Sequence, residues 1–326
     1  MPCISITGLS KSFRIAQRGT GIGGALRGLV HREYRHVHAL RDLTFSVEKG
    51  EILGYIGPNG AGKSTTIKIM SGIMRPDGGE CVIGGRIPWK DRIAHVRRIG
   101  VVFGQRTQLW WDLPTVESFH ILKTMYQVPE TRFRRNMAEL EALLSLGPLL
   151  RVPVRQLSLG QRMRCEIAAS LIHDPEVLFL DEPTIGLDAA AKIAVRAFIR
   201  EYNRLRQLTV ILTTHDMDDI EELSGRVIVL HEGRLIYVGT MEGLRREAGE
   251  RRQLIIDTEG RGEITSVPGA EMEEKEGRIT WRYDPRETDV NAMLAAVTAS
   301  RRIVDLVSES EPIERIVARF YKEGGA

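Results

Sequence analysis

The chain of 326 residues has no apolar run approaching the roughly 20 residues that a membrane-spanning helix needs. Residues 1–13 lack the charged-then-apolar order of a secretory signal. These two absences predict a soluble intracellular chain, which serves any membrane process from the cytosolic side through a partner. Cysteine is scarce. Cys3, Cys81 and Cys165 are scattered and odd in number, and none stands at metal-ligand spacing with a second Cys or His. Reduced thiols are the expected state. An excess of one charge is also missing: 46 basic residues face 43 acidic ones, for a net charge of +3. That near-balance argues against a dedicated nucleic-acid binder. Arg greatly outnumbers Lys, but no single Arg block dominates, and no internal repeat is visible.

What is present is an alternation of short apolar strands and helices. Cys3–Thr7 and Leu43–Val47 read as β-prone runs broken by turn residues. Between them, residues 16–38 are rich in Gly, Arg and His without a period, and read as an inserted loop with a short helix near Ala25–Val30. Glu51–Ile56 is a compact apolar strand, followed by a Gly-rich loop and a helix over Lys63–Met70. Ile99–Phe103 reads as a strand. Residues 115–150 form a helical block whose stripe, Leu140, Leu143, Leu144 and Leu146, ends at Gly147-Pro148. Met163, Ile167 and Leu171 share one face of a helix over Gln161–Ile172. His173-Asp174-Pro175 stops it before the apolar strand Val177–Leu180. A helix over 189–206, a strand over Thr209–Thr213, a short helix, and strands over Arg226–Leu230 and Arg234–Val238 complete an α/β pattern with a mainly parallel sheet.

After about residue 241 the texture changes. Strand candidates at Gln253–Asp257, Arg278–Tyr283 and Ile303–Val307 alternate with helix candidates at Thr288–Ala299 and Ile313–Tyr321. Residues 241–326 are therefore expected to form a small α+β domain beside a first domain of 1–240. No catalytic cluster is visible in that second part.

Three constellations carry chemistry. Gly57-Pro58-Asn59-Gly60-Ala61-Gly62-Lys63-Ser64-Thr65 fits G-x-x-x-x-G-K-[ST] between a strand and a helix. Its glycines let N–H groups turn inward around phosphate oxygens at a helix N-terminus. Lys63 can reach β- and γ-phosphates, and Ser64 offers a hydroxyl to Mg²⁺. Val177–Glu182 is an apolar strand ending in two acids: Asp181 is placed to hold Mg²⁺, and Glu182 to orient and deprotonate an attacking water. Leu157-Ser158-Leu159-Gly160-Gln161 opens a helix far along the chain from the loop. Such a run makes sense if it reaches a nucleotide held by another subunit.

Together these motifs resemble the ATP-binding subunit of ABC transporters over about residues 3–240. The resemblance implies a P-loop ATPase core with a mainly parallel sheet, antiparallel N-terminal strands and a helical subdomain at about 106–172. It further implies that Gln105 is a Mg²⁺ and water ligand that senses the membrane partner and that His215 contacts the γ-phosphate. Ile185-Gly186-Leu187-Asp188 would cross a dimer interface, placing Asp188 near the nucleotide. Ser158 and the N–H groups of Gly160 and Gln161 would bind the γ-phosphate from the facing subunit. The family's commoner form has Gly where this chain has Leu159, which adds a side chain near the nucleotide face. Phe13 matches the family's adenine-stacking position, with Tyr34 as the alternative. Trp110-Trp111 follows Gln105 closely, in the segment that contacts a membrane subunit in this family. Two adjacent Trp cannot both face one core, so at least one is expected to be exposed.

The run through Gly54–Lys63, Phe103–Arg106, Trp110–Pro114, Thr184–Asp188 and Thr213–Asp219 looks like a bacterial type-2 exporter ATPase. That likeness implies ATP and Mg²⁺, a polytopic permease, a second ATP-binding subunit (a homodimer), no nucleic acid, and a place on the inner face of the cell membrane. The alternative is a soluble ABC ATPase without a transporter, of the DNA-associated, translation or Fe–S assembly type. The chromosome type needs a long coiled coil between Lys63 and Asp181, and no heptads occur there. Translation factors of the superfamily carry two ATPase units, and this chain carries one.

Overall fold

The computed structural model describes residues 2–16, 34–104, 106–247, 249, 251–260, 262–311 and 313–323. The chain divides into two compact units, Met1–Val238 and Gly239–Ala326.

The first unit holds two sheets. A three-stranded antiparallel sheet has the order β2-β1-β4, from β1 (Ile4–Ala16), β2 (Tyr34–Val47) and β4 (Gly78–Ile83). The larger sheet has the order β5-β6-β7-β3-β8-β9, from β3 (Ile52–Ile56), β5 (Ile99–Phe103), β6 (Val177–Asp181), β7 (Thr209–Thr213), β8 (Arg226–His231) and β9 (Arg234–Gly239). Its β5-β6-β7-β3-β8 pairings are all parallel. β3 and β7 are buried at every position, which is why they read as unbroken apolar runs and not as alternation. One core joins the two sheets: Ile4, Ile6, Leu9 and Leu43 pack with Leu53, Tyr55, Phe179, Ile211 and Ile228.

The helices of this unit are α1 (Lys63–Met70), α2 (Arg92–Val96), α3 (Thr115–Met125), α4 (Glu130–Leu144), α5 (Leu159–Leu171), α6 (Ala189–Arg206) and α7 (Met217–Leu223) among the described residues. In α4 the expected stripe buries Leu140 and Leu144, and Leu146 is buried just beyond its end, while Leu143 is half-buried. Met163, Ile167 and Leu171 of α5 are all buried.

Two expectations need correction, and a third is not tested. The inserted loop is shorter than 16–38, because Ala16 pairs with Tyr34 and Phe13 with Val37 in the β1–β2 hairpin. The short helix at 25–30 lies outside the described residues. The break expected after Thr7 is a β-bulge: Gly8 takes φ +62° and β1 continues through it.

In the second unit β10 (Arg252–Glu259), β11 (Ala270–Lys275), β12 (Arg278–Tyr283) and β13 (Arg302–Ser310) form an antiparallel sheet in the order β11-β12-β10-β13. The helices are α8 (Met241–Glu247), α9 (Val290–Thr298) and α10 (Ile313–Glu323). Leu254, Ile256, Ile279, Trp281 and Tyr283 meet Met293 and Val297 of α9 in a separate core. β11, Ala-Glu-Met-Glu-Glu-Lys, escapes a reading of apolar pattern because it is an edge strand with no buried residue.

Candidate functional site

The carboxyl ends of β3, β5, β6 and β7 point to one edge of the parallel sheet, where open α/β sheets hold ligands. A cavity of about 710 Å³ opens there, lined by Gly57, Pro58, Asn59 and Ser64 on one side and Gly104, Asp181, Glu182 and His215 on the other. That volume lies within the range of small-molecule sites.

The Gly57–Ser64 loop leaves β3 and enters α1 through Gly62, the residue preceding the helix, at φ +112°. A Cβ there would sit 2.6 Å from the Ala39 carbonyl oxygen, so only glycine lets the loop pass β2. Lys63 is buried, and its ammonium donates to the Gly57 carbonyl at 2.5 Å and the Pro58 carbonyl at 3.2 Å. Burial pushes its pKa down, while the charges of Glu182 and Asp181 act against that shift. Ser64 and Asn59 are exposed and line the cavity, while Gly60 is exposed but not part of the lining. Ala61 is buried, and Thr65 is half-buried and not part of the lining. Thr66 anchors the first turn of α1: its hydroxyl lies 3.1 Å from both the Gly62 carbonyl and the Tyr55 hydroxyl.

Asp181 ends β6 beside Thr213, whose hydroxyl donates to Asp181 Oδ1 at 2.5 Å. Glu182 takes φ +57°, an uncommon conformation for a side chain of this size, and its N–H donates to the Thr213 carbonyl at 2.9 Å. The turn brings Glu182 Oε2 to 3.4 Å from His215 Nδ1. Gly104 closes this wall. A Cβ on it would lie 2.4 Å from the Glu182 carbonyl oxygen and 3.0 Å from that of Asp181. Gln105 lies outside the described residues.

Ser64 and Asp181 offer a hydroxyl and a carboxylate, hard oxygen donors that fit Mg²⁺ when phosphates and water complete its shell. Among the described residues no cluster of three or more His, Cys, Asp and Glu could hold a metal by itself.

Ser158, Gly160, Gln161 and Asp188 are not brought to this cavity. Ser158 caps α5, with its hydroxyl accepting the Gln161 N–H at 3.2 Å and Gln161 Oε1 accepting the Ser158 N–H at 2.9 Å. The Gln161 N–H, expected to serve a phosphate, is therefore engaged within its own helix. Those of Leu159 and Gly160 have no intrahelical acceptor. Asp188 caps α6 in turn, accepting from the Ala191 N–H at 2.8 Å. Leu159 leans over the 185–188 segment, with its Cδ2 3.0 Å from where a Gly186 Cβ would stand.

Phe13 and Tyr34 do not line the cavity either. Both lie on the β1–β2 hairpin, Phe13 half-buried 5.8 Å beneath the Lys11 ammonium and Tyr34 exposed against Arg14. Trp110 and Trp111 are both exposed, and the Arg162 guanidinium of α5 lies 5.5 Å from the Trp111 ring.

The roles of three residues escaped the reading of motifs. Thr213 orients Asp181. Glu166, buried in α5, accepts from the Thr107 hydroxyl and the Gln108 N–H (3.1 Å), tying α5 to the chain just after Gln105. Burial pushes its pKa up, against those hydrogen bonds. Asp219, buried in α7, gathers Thr184, Thr214 and Arg196. Thr213 and Asp219 fall within the run Thr213–Asp219 singled out in the sequence, but nothing there assigned them these partners.

Among the described residues no helix is long and apolar enough to cross a membrane. The family model described as "ABC transporter" matches residues 40–185. The chain is 32% identical over 208 residues to the ABC transporter ATP-binding protein NatA of Bacillus subtilis, covering 64% of this chain and 84% of that protein. It is 37% identical over 231 residues to the Nod factor export ATP-binding protein I of Ralstonia nicotianae, covering 68% of this chain and 69% of the relative. Among solved structures, cbiO1 of Clostridium perfringens, part of the ABC transporter complex cbiONQ, superposes with a TM-score of 0.62 at 26% identity, covering 76% of this chain and 91% of that one. The loop at Lys63, the acids at the end of β6 and these likenesses agree: the chain belongs to the ABC transporter family, as one of its ATP-binding, ATP-hydrolysing proteins.

Proposed function

We propose that this chain powers an exporter by closing on a second ATP-binding subunit, each ATP being held between Lys63 of one subunit and Ser158 of the other. The observation that carries this reading is that Ser158 opens a helix with outward N–H groups yet has no part in the lining of its own chain's cavity. Export is supported by the likeness to the Nod factor export ATP-binding protein. Phe13 stacks on adenine in this reading, and the dimer is of identical chains.

Hydrolysis begins with water in line with the γ-phosphorus. Glu182 takes its proton, the new P–O bond forms as the bond to the bridging oxygen breaks, and ADP leaves with that electron pair. His215, 3.4 Å from Glu182, contacts the γ-phosphate and holds the carboxylate toward the water. Lys63 neutralises β- and γ-oxygens. Ser64 and Asp181, with Gln105, would hold Mg²⁺, which supplies charge neutralisation at those oxygens. The exposed Trp110 and Trp111 form the contact with a polytopic permease, which places the chain on the inner face of the membrane.

The test is a Glu182→Gln variant with ATP, followed by size-exclusion chromatography and phosphate release. A trapped ATP-bound dimer with little turnover is expected. Normal phosphate release would remove Glu182 from its role, and a chain that stays monomeric with ATP bound would overturn the shared site. Copurification with a polytopic subunit from membranes tests the exporter. A protein found instead on ribosomes or DNA ends would overturn it.

A further inference from the structure

Behind the hydrolytic wall lies a buried charged knot that the roles above do not use. Asp219 of α7 is fully buried. One of its oxygens, Oδ2, accepts from two hydroxyls, those of Thr184 and, at 3.1 Å, Thr214. The other accepts from Arg196 Nε of α6 at 2.5 Å. Arg196, also buried, continues to Glu222 at 2.7 Å and Asp216 at 3.4 Å, and Asp216 in turn accepts from Lys192.

The position of each donor matters. Thr184 stands two residues after Glu182 and directly before the 185–188 segment. Thr214 directly precedes His215, and its oxygen also accepts the Asp216 N–H at 2.9 Å. The two threonines before His215 are thus anchored in different directions: Thr213 on Asp181 and Thr214 on Asp219. Ion pairing alone does not require this arrangement, since Arg196 has Glu222 and Asp216 as further acceptors. A buried ion pair is moreover weak evidence of a stabilising role. The sharing of one oxygen by two loops is what sets Asp219 apart.

We propose that Asp219 is a positioning residue for hydrolysis. By holding Thr184 and Thr214 on one oxygen it fixes the turn carrying Glu182 against the turn carrying His215. It also carries any displacement of residues 185–188 to the reacting end. The inference deepens the proposed hydrolytic reading and rests on it for the roles of Glu182 and His215.

Thr184→Val and Thr214→Val each remove one hydroxyl while keeping shape and the ion pair. Asp219→Ala is a poorer probe, because it leaves Arg196 buried beside a lost partner. The measurements on the full chain are equilibrium ATP affinity, kcat at saturating ATP, and the urea midpoint. Each Val variant is expected to lose about tenfold in kcat while ATP affinity stays within about twofold. Thr214→Ser, which restores the hydroxyl, should recover the rate. The double Val variant should lose less than the product of the single losses, since both act through one oxygen. Unchanged kcat in both folded variants overturns the inference. So does a fall of ATP affinity and urea midpoint in step with kcat, which would mark a purely structural role. Glu182→Gln and His215→Ala are assayed alongside. If they are inactive while the Val variants are normal, only the role of Asp219 fails. If they hydrolyse normally, the underlying assignment fails with it.

Discussion

The Thr213 hydroxyl holds Asp181 Oδ1 at 2.5 Å across the paired ends of β7 and β6. One oxygen of the carboxylate is thereby engaged by the protein, which fixes the direction of the other. Thr213→Val keeps the volume and strand preference but frees the carboxylate to rotate. ATPase activity titrated against Mg²⁺ should show a half-maximal concentration raised by about threefold to tenfold, with much of the rate recovered at high Mg²⁺. An unchanged titration would mean that Asp181 is held by other contacts.

Gly62→Ala places a methyl group 2.6 Å from the Ala39 carbonyl and 2.7 Å from Leu40 Cδ2, at a backbone φ of +112°. The substitution should cost on the order of 1–3 kcal/mol in urea unfolding and remove ATP binding, because the loop and β2 cannot both keep their places. Retained nucleotide affinity would show that the loop can shift.

Leu159 lies over Gly186 of the 185–188 segment, its Cδ2 3.0 Å from where a Cβ there would stand. Leu159→Gly should preserve kcat within about threefold and raise the ATP concentration for half-maximal activity, since a looser segment has more to order on closure. The change also costs up to about 1 kcal/mol of helix propensity at the start of α5. Abolished hydrolysis would assign the leucine a direct part in the reaction.

His173 provides a pH test of the packing behind the sheet. It is buried, stacked on Tyr126 at 4.0 Å, and donates from Nε2 to the Ile99 carbonyl at 2.9 Å, while Nδ1 has no partner. Burial pushes its pKa down to about 4. The unfolded chain, with an ordinary histidine pKa of about 6.5, binds the proton first as pH falls. Stability contributed by the neutral ring is therefore present above about pH 6.5 and is lost as pH falls toward 4. The loss is on the order of 3 kcal/mol. The stability difference between the native chain and His173→Gln, followed by urea unfolding from pH 7 to pH 4, should fall over that window. A flat difference would mean that the ring titrates normally in the folded protein.

Much of the first unit was legible because its elements are set by local pattern. Ile99–Phe103, Thr209–Thr213 and α6 at 189–206 have the bounds that their apolar runs and helical period predict. Lys63, Ser64, Asp181, Glu182 and His215 were legible because fixed motifs place them at element ends; the fold brings Ser64, Asp181, Glu182 and His215 to the cavity lining, while Lys63 lies buried with its ammonium on the Gly57 and Pro58 carbonyls. The capping of α5 was half legible: the Ser158-to-Gln161 spacing marks a helix start, but not that the cap consumes the Gln161 N–H. Glu166 was not legible, and Thr213 and Asp219, though inside the Thr213–Asp219 run, carried no sign of their partners. Their partners come from other loops, and local composition carries no record of which loops meet. β11 was missed because an edge strand with no buried residue imposes no alternation, and β4 because its two buried residues, Cys81 and Ile83, follow a Gly78-Gly79-Glu80 start that reads as a turn.

Gly104 gives the site a mechanical property. Because it has no side chain, the main chain leaving β5 lies directly on the main chain of Asp181 and Glu182, and the Gly104 N–H donates to the Asp181 carbonyl at 2.8 Å. Side chains absorb small displacements by changing rotamer, whereas two bonded backbones have no such slack. The strand end before Gln105 and the turn that carries the acids therefore behave as one stiff lever. A displacement of the strand end is expected to move the turn with it, since no side chain lies between the two backbones.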